Sequence, residues 1–332
     1  MDELIFFINR VLISGTVFGS IYALGAIGIT LIFGILRFAH FAHGDMMTMG
    51  AFIGFVLAGM LASMGIVTPI PTGLVVLPLA MVLTAIIALG LDKGFYAPLR
   101  RRGVPSVTLM IASIGVTLMI QGLIRLIFGS GTKSFFGAEP KDIFRIDMTA
   151  LGGSRPITIT EPQVLMIVVT VLIVLALHYF LTRSRLGKAM RAMADNAALA
   201  QVSGINTAVV VRVTWLIAGA LACVAGTMLA LDVALMPDLA FNIVLPIFAA
   251  AIVGGLGHVY GAIVGGFLIA FAETLSVFNW TSVLRPFGNA LGVELPANLA
   301  LVPTEYKLTV AFVILVITLL ARPTGIFKGV SS

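Results

Sequence analysis

Residues 164–206 read VLMIVVTVLIVLALHYFLTRSRLGKAMRAMADNAALAQVSGIN, and the contrast between the two halves of this stretch decides the fold. Val164 to Leu181 is an apolar run interrupted by Thr170 and His178, without formal charge and long enough to cross the roughly 30 Å hydrocarbon core of a bilayer as a helix. The character then reverses, with Arg183, Arg185, Lys188 and Arg191 placing four cations within nine residues. An Ala-rich, helix-favouring stretch follows from Ala189 to Ala200, Gly204 supplies a helix stop, and Asn206 begins the turn into the next apolar run. A short polar helix held at a membrane face by two spanning helices is placed to act as a lever for something outside the membrane. The same pattern fits a positively charged loop that only sets topology.

Apolar runs of this kind recur along the whole chain. Of its 332 residues 60% are hydrophobic and 10% charged, against roughly a quarter charged in a soluble domain. There is too little polar surface to cover a water-soluble globule, and continuous runs instead of short alternating segments exclude a transmembrane barrel. The expectation is an all-α polytopic membrane protein forming a single transmembrane domain over residues 1–332. Spans are expected at about 11–34, 46–62, 73–91, 106–128, 164–181, 209–231 and 261–277, with a last one ending at Arg322. Residues 232–257 are broken by Pro237, Pro246, Gly254 and Gly255, so a crossing there is discontinuous and the total is eight or nine.

Charge orients the chain. If the segments after the odd-numbered spans face the cytoplasm, that side holds twelve cations, including Arg37, Lys93, Arg100 to Arg102, the four beyond Arg183, and Lys328; the other side holds seven, including Lys141. The positive-inside rule then puts the N-terminus outside, the C-terminus in the cytoplasm, segment 183–206 inside, and the loops at about 129–163 and 278–306 outside. A net charge of +6 is no sign of nucleic-acid binding, because the cations sit in short loops beside apolar spans. Cys223 lies within an apolar run and cannot form an internal disulfide. The opening MDELIFFINR is acidic where a signal peptide is basic, so the chain reads as mature.

Few residues carry chemistry. In the stretch HFAHGD, His40, His43 and Asp45 could form a metal site, but no further His or Cys cluster completes it. Other readings are a polar break at a helix end, or a kinked entry into the second span whose backbone lines a translocation path. On the last reading Phe41, His43, Gly44 and Asp45 line the path, and the second broken region, with Asn242 and Pro246, either faces them across the subunit or lines the other end. Gly257, Gly261 and Gly265, like Gly50 and Gly54, repeat every four residues and suit close helix packing. Glu273 and Arg125 are intramembrane charges and candidates to pair with each other. No phosphate-binding loop, metalloprotease helix or nucleophile elbow is present, so no catalytic residue is assigned and an ATP-driven activity needs an ATPase on another chain.

Four blocks in order, GSIYALGAIGITLIFGILRFAHFAHGDMMTMGAF, RSRLGKAMRAMADNAALAQVSGIN, AAAIVGGLGHVYGAIVGGFLIAFAE and the terminal ARPTGIF, closely resemble LivH-type permeases of branched-chain amino-acid ABC importers. The resemblance covers nearly the whole chain. It implies the membrane part of a bacterial inner-membrane importer, paired with a second related permease. Two cytoplasmic ATPases, which hold the ATP and Mg, would drive it, and a periplasmic binding protein would deliver substrate. Segment 183–206 would be the element that docks on an ATPase, with Gly187, Arg191, Asp195 and Gly204 matching the family pattern best. Ala198 stands where the general coupling loop of ABC importers has Glu, and His40 where many relatives carry Asn. Urea and short-amide permeases share the wider family and are the alternative substrate class. An ion-coupled secondary transporter is the competing class, for which Glu273 alone comes near the expected acidic group in a broken helix.

Overall fold

The structure, a computed structural model, describes residues 2–66, 68, 70–136, 142–148, 153–292 and 294–327; Pro69, Lys141 and Lys328 lie outside these. Asp2–Leu36 contains no proline and forms one helix of 35 residues (α1), opened into π-type turns over Ile8–Ile13. Its length is about 52 Å at about 1.5 Å per residue, against about 30 Å of hydrocarbon, so part of it stands clear of the apolar layer. A two-stranded antiparallel hairpin, β1 (Ile143–Ile146) and β2 (Ile157–Thr160), grips that end. Asn9 Oδ1 accepts from Thr158 N–H at 3.0 Å, Asn9 Nδ2 donates to the Pro156 carbonyl at 3.2 Å, and Ser154 N–H donates to Asp2 Oδ1 at 2.7 Å. The hairpin departs from the all-α expectation. Two four-residue strands are marginal alone, and the support from Asn9 and Asp2 comes from about 150 residues away in sequence.

Beside a single helical turn at Thr72–Val75, the remaining helices are α2 (His43–Ser63), α3 (Leu77–Arg101), α4 (Ser106–Phe128), α5 (Glu161–Arg183), α6 (Arg185–Asp195), α7 (Ala197–Val202), α8 (Thr207–Asp232), α9 (Phe241–Gly254), α10 (Val259–Val277), α11 (Thr281–Leu291) and α12 (Thr304–Ala321). Among the described residues eight helices are long and apolar enough to span a membrane: α1 to α5, α8, α10 and α12. With 14 residues α9 falls short, at about 21 Å.

The core gathers around α8, which is buried continuously from Leu221 to Leu231 and packs on α1, α2 and α3. Its approach to α2 is backbone against backbone: a Cβ on Gly226 would lie 1.9 Å from the Met47 carbonyl oxygen. The four-residue glycine repeats serve packing as expected at most positions. Added Cβ atoms on Gly261 and Gly265 would lie 2.2 and 2.1 Å from the carbonyl oxygens of Gly254 and Ala250, and one on Gly50 would meet Cys223. Gly54 has only ordinary contacts.

The terminal ARPTGIF acquires a structural role that periodicity alone does not suggest. Ile326 N–H donates to the Val253 carbonyl at 2.8 Å and Phe327 N–H to that of Gly254 at 3.3 Å, satisfying carbonyls at the C-terminus of α9 that its own helix cannot reach. Gly325 makes the turn at φ 83°, with its Cβ direction 2.6 Å from Gly255 Cα. Gly325→Val combines a left-handed β-branched residue with a backbone clash, each costing about 1–3 kcal/mol. The expected result is a clear drop in melting temperature in detergent; an unchanged melting curve would show that the tail is not holding α9.

Candidate functional site

Two interruptions in helical structure meet inside the bundle. The first follows α1, which ends at Arg37 with φ 56°, the one positive φ at a non-glycine residue in the described chain. Residues 38–42 then run non-helically to the start of α2 at His43. The second follows α8: Leu235 pairs with Lys133 through two backbone hydrogen bonds, and the chain turns inward until Ala240 N–H donates to Thr48 Oγ1 at 3.1 Å. Thr48 is buried in the second turn of α2, so α9 starts within the bundle at that level. HFAHGD and the start of α9 touch, which is the first of the two placements open for the second broken region. The Phe41 and Phe248 rings lie 4.7 Å apart, and the Cβ direction of Gly44 points at Val244 and the Ala240 carbonyl, 3.0 and 3.1 Å away.

The six residues expected to line a path do not share one surface. Phe41 is half-buried and Asn242 exposed, whereas His43, Gly44, Asp45 and Pro246 are buried. The His43 ring rests on Gly28, and neither ring nitrogen has a hydrogen-bond partner among the described residues. His40 is held differently. Its Nδ1 lies 3.2 Å from Tyr96 Oη, its Nε2 3.3 Å from Met46 Sδ, and its ring packs edge-on against Trp215. Asp45 turns away from both histidines to accept from Gln121 Nε2 at 2.9 Å, so the three groups considered for a metal do not converge.

The two intramembrane charges also find other partners than each other, which corrects the expected Glu273–Arg125 pairing. Arg125 Nη1 donates to Gln121 Oε1 at 3.3 Å, making a relay Arg125–Gln121–Asp45 between α4 and α2. Glu273 faces α1 and α12, where Tyr22 Oη donates to its Oε2 at 2.9 Å and Lys307 Nζ lies 3.6 Å from the same oxygen. Lys307 also sits 4.3 Å over the Phe18 ring. The physical reason is packing: α4 lies against α2, and α10 against α1 and α12. Gln121 was legible in principle, as a lone amide one helical turn before Arg125 in an apolar span. Tyr22 and Lys307 carried no such signal.

At the Arg37 end of the bundle lies the basic segment. Ser184 caps α6, its Oγ accepting from Gly187 N–H at 2.8 Å. Gly187 itself is pressed on the end of α5, where a Cβ would lie 2.3 Å from the Phe180 carbonyl oxygen. Gly187, Met190 and Met193 recur every three residues and form the buried stripe, leaving Arg185, Lys188, Arg191 and Asp195 exposed. Asn196 caps α7, and Gly204 ends it at φ 85°: Gly204 N–H donates to Gln201 and Ile205 N–H to Ala200, both at 3.0 Å, as in a Schellman turn. Leu199 and Val202 on α7 are open to solvent. A cleft of about 680 Å³, bordered by Gly34, Lys188, Arg191 and His258, flanks α6 on one side; another of about 800 Å³, bordered by Asp92, Arg100 and Arg212, flanks it on the other. Of the four residues expected at an ATPase interface, Arg191 and Asp195 present side chains outward, while Gly187 and Gly204 shape the backbone behind them.

The family model described as branched-chain amino acid transport system / permease component matches residues 11–319. The high-affinity branched-chain amino acid transport system permease protein BraD of Pseudomonas aeruginosa is 31% identical over 329 residues, covering 98% of this chain and 97% of that protein. The high-affinity permease protein LivH of Escherichia coli is 31% identical over 334 residues, with 98% and 96% covered. A probable branched-chain amino acid transport permease protein LivH of Methanocaldococcus jannaschii is 28% identical, with 96% and 92% covered. The match runs through both helix interruptions, the α6–α7 segment and most of the spans, so this chain belongs to the family of branched-chain amino acid transport system permease components.

Proposed function

We propose that the chain is one permease subunit of an ATP-driven importer of branched-chain amino acids in the bacterial cytoplasmic membrane. ATP and Mg are held by two ATPase subunits on the cytoplasmic side, a second related permease completes the conduit, and a binding protein on the outer side delivers substrate. The observation that carries this reading is α6–α7. An amphipathic pair, seated by Met190 and Met193 and bounded by two capped turns, exposes Arg185, Lys188, Arg191, Leu199 and Val202 beside open clefts. Exposed apolar side chains on α7 next to exposed cations on α6 suit a docking face.

Orientation rests on the same end of the bundle. Arg37, Lys93, Arg100, Arg101, Lys188, Arg191 and Arg212 gather there around the two clefts and α6, which supports a cytoplasmic location for this end and an outer location for the hairpin. The crossing after α8 is then discontinuous: non-helical residues 233–240 lead in from outside, and α9 completes the passage to the cytoplasmic face. The amino acid passes over Phe41 and Asn242, with His43, Gly44, Asp45 and Pro246 as the wall that sets their positions. A zwitterion needs no fixed charge in such a conduit when a separate protein binds it tightly. Glu273, the group on which an ion-coupled carrier would rest, has one carboxylate oxygen held by Tyr22 and Lys307, which favours the importer reading over a carrier.

Purification from native membranes tests the reading directly. The chain is expected to bring an ATPase and a second permease, and the reconstituted complex with its binding protein to accumulate leucine only when ATP is supplied. Isolation as a lone chain that carries leucine down an ion gradient would overturn it. For orientation, a cysteine at Thr132 is expected to react with an impermeant thiol reagent in intact cells, and one at Ala189 only after permeabilisation. Labelling of Ala189→Cys in intact cells would reverse the topology.

A further inference from the structure

We propose that Arg37 is the positioning residue that transmits movement of α6 to residues 38–42 and the start of α2. The proposal rests on the reading of α6 as the element an ATPase moves. Arg37 Nη2 donates to the Ala194 carbonyl at 2.5 Å, in the last turn of α6. Carbonyls at a helix C-terminus lack partners within the helix and carry the negative end of its dipole, so a guanidinium is a strong tie there. The same residue ends α1, its own N–H donating to the Phe33 carbonyl at 2.9 Å. One residue thus joins the end of a spanning helix to the end of the surface helix.

The next four residues of the chain give the tie its consequence. Phe38 is buried 5.4 Å from the Tyr96 ring, and His40 is enclosed by Tyr96 and Trp215, which stack on each other at 5.1 Å. Phe41 N–H donates to Ser113 Oγ at 3.1 Å, and its ring meets Phe248. The segment is therefore fastened to α3, α8, α4 and α9, and two residues after Phe41 it becomes α2. A displacement of the α6 C-terminus acts through Arg37 on a segment with little slack of its own. It reaches Phe41 and Gly44 without having to pass through the lipid-facing helices.

The backbone at Arg37 supports a role for the side chain. A left-handed conformation costs an L-residue about 1–2 kcal/mol, and glycine adopts it freely. A position kept only for its turn would be served better by glycine. Arg37→Gly therefore removes the guanidinium while easing the backbone, which separates the tie from the fold.

The test uses the complete complex with its ATPases, in a background carrying Ala39→Cys as a reporter in the segment; the native Cys223 is buried. The parent is expected to show different reactivity of this cysteine toward a thiol reagent with and without ATP and Mg. With Arg37→Gly the complex is expected to assemble and hydrolyse ATP within about twofold of the parent, while leucine moved per ATP falls about tenfold, in the range of coupling free energies between sites. The nucleotide-dependent difference at Ala39→Cys is expected to vanish, and Arg37→Lys, which keeps a charged donor, to restore part of both. Unchanged transport per ATP with an unchanged labelling difference overturns the proposal, as does a loss of assembly and hydrolysis in step with uptake. A parent complex that hydrolyses ATP but moves no branched-chain amino acid overturns the proposed function instead, and the labelling comparison then decides on Arg37 alone.

Discussion

Gly44→Val is expected to abolish leucine uptake while leaving the partner subunits bound. Gly44 lies in the first turn of α2, and even a bare Cβ there would stand 3.0 Å from Val244 and 3.1 Å from the Ala240 carbonyl oxygen. Valine adds two methyl groups beyond that point, so the first turn of α9 must retreat. The Ala240 hydrogen bond to Thr48 and the Phe41–Phe248 contact depend on that turn staying where it is. Overpacking of this kind typically costs about 1–3 kcal/mol, enough to redistribute conformations of a conduit without unfolding a bundle of this size. Gly44→Ala, which needs only a shift of a few tenths of an ångström, is expected to retain part of the activity. Uptake by reconstituted complexes, set beside recovery of the ATPases in the same preparation, reads both. Full uptake by assembled Gly44→Val would take this contact out of the path, and failure to assemble would reduce it to packing.

Reversal of charge at Arg191→Glu is expected to uncouple uptake from ATP hydrolysis by at least about tenfold. Arg191 is exposed on α6 and has no hydrogen bond or ion pair among the described residues, so the substitution removes nothing the isolated fold relies on. A like charge set against an acidic partner surface costs several kcal/mol at a docking face. Expression and melting temperature are accordingly expected to stay near the parent values. Arg191→Lys preserves the charge and is expected to keep most of the activity. Normal substrate-stimulated ATP hydrolysis and uptake by Arg191→Glu would move the docking face elsewhere on α6–α7.

The spans and the basic helical segment between α5 and α8 were legible because both obey local rules. A bilayer demands an apolar helix of set length wherever the chain crosses, and Ser184, Asn196, Asn206 and Gly204 cap or end helices through bonds to residues within four positions. The helix limits within 232–257 were visible in Pro237, Gly254 and Gly255, which border the 14-residue α9, whereas Pro246 lies inside that helix without ending it. The start of α1 at Asp2, well before the apolar run, was not visible, because its support comes from a hairpin about 150 residues later.

The pairing of polar groups on different helices belongs to the tertiary structure. Gln121 meets Asp45 across 76 residues and Tyr22 meets Glu273 across 251, and hydropathy is silent on both, because it measures how a residue prefers lipid and not which helix it faces. Neighbours are chosen by shape, as when Phe271 and Phe267 of α10 close over Gly15 and Gly19 of α1. Once that choice puts α10 beside α1, Glu273 is committed to Tyr22 and Lys307, and Arg125 is left to Gln121. Sequence alone thus determined that the chain crosses a membrane many times and carries a basic helical segment between two spans, since burial in lipid and helix capping act residue by residue. Which polar groups meet, how Arg37 reaches α6 and how the C-terminal tail closes α9 were decided only by the packing of helices far apart in sequence.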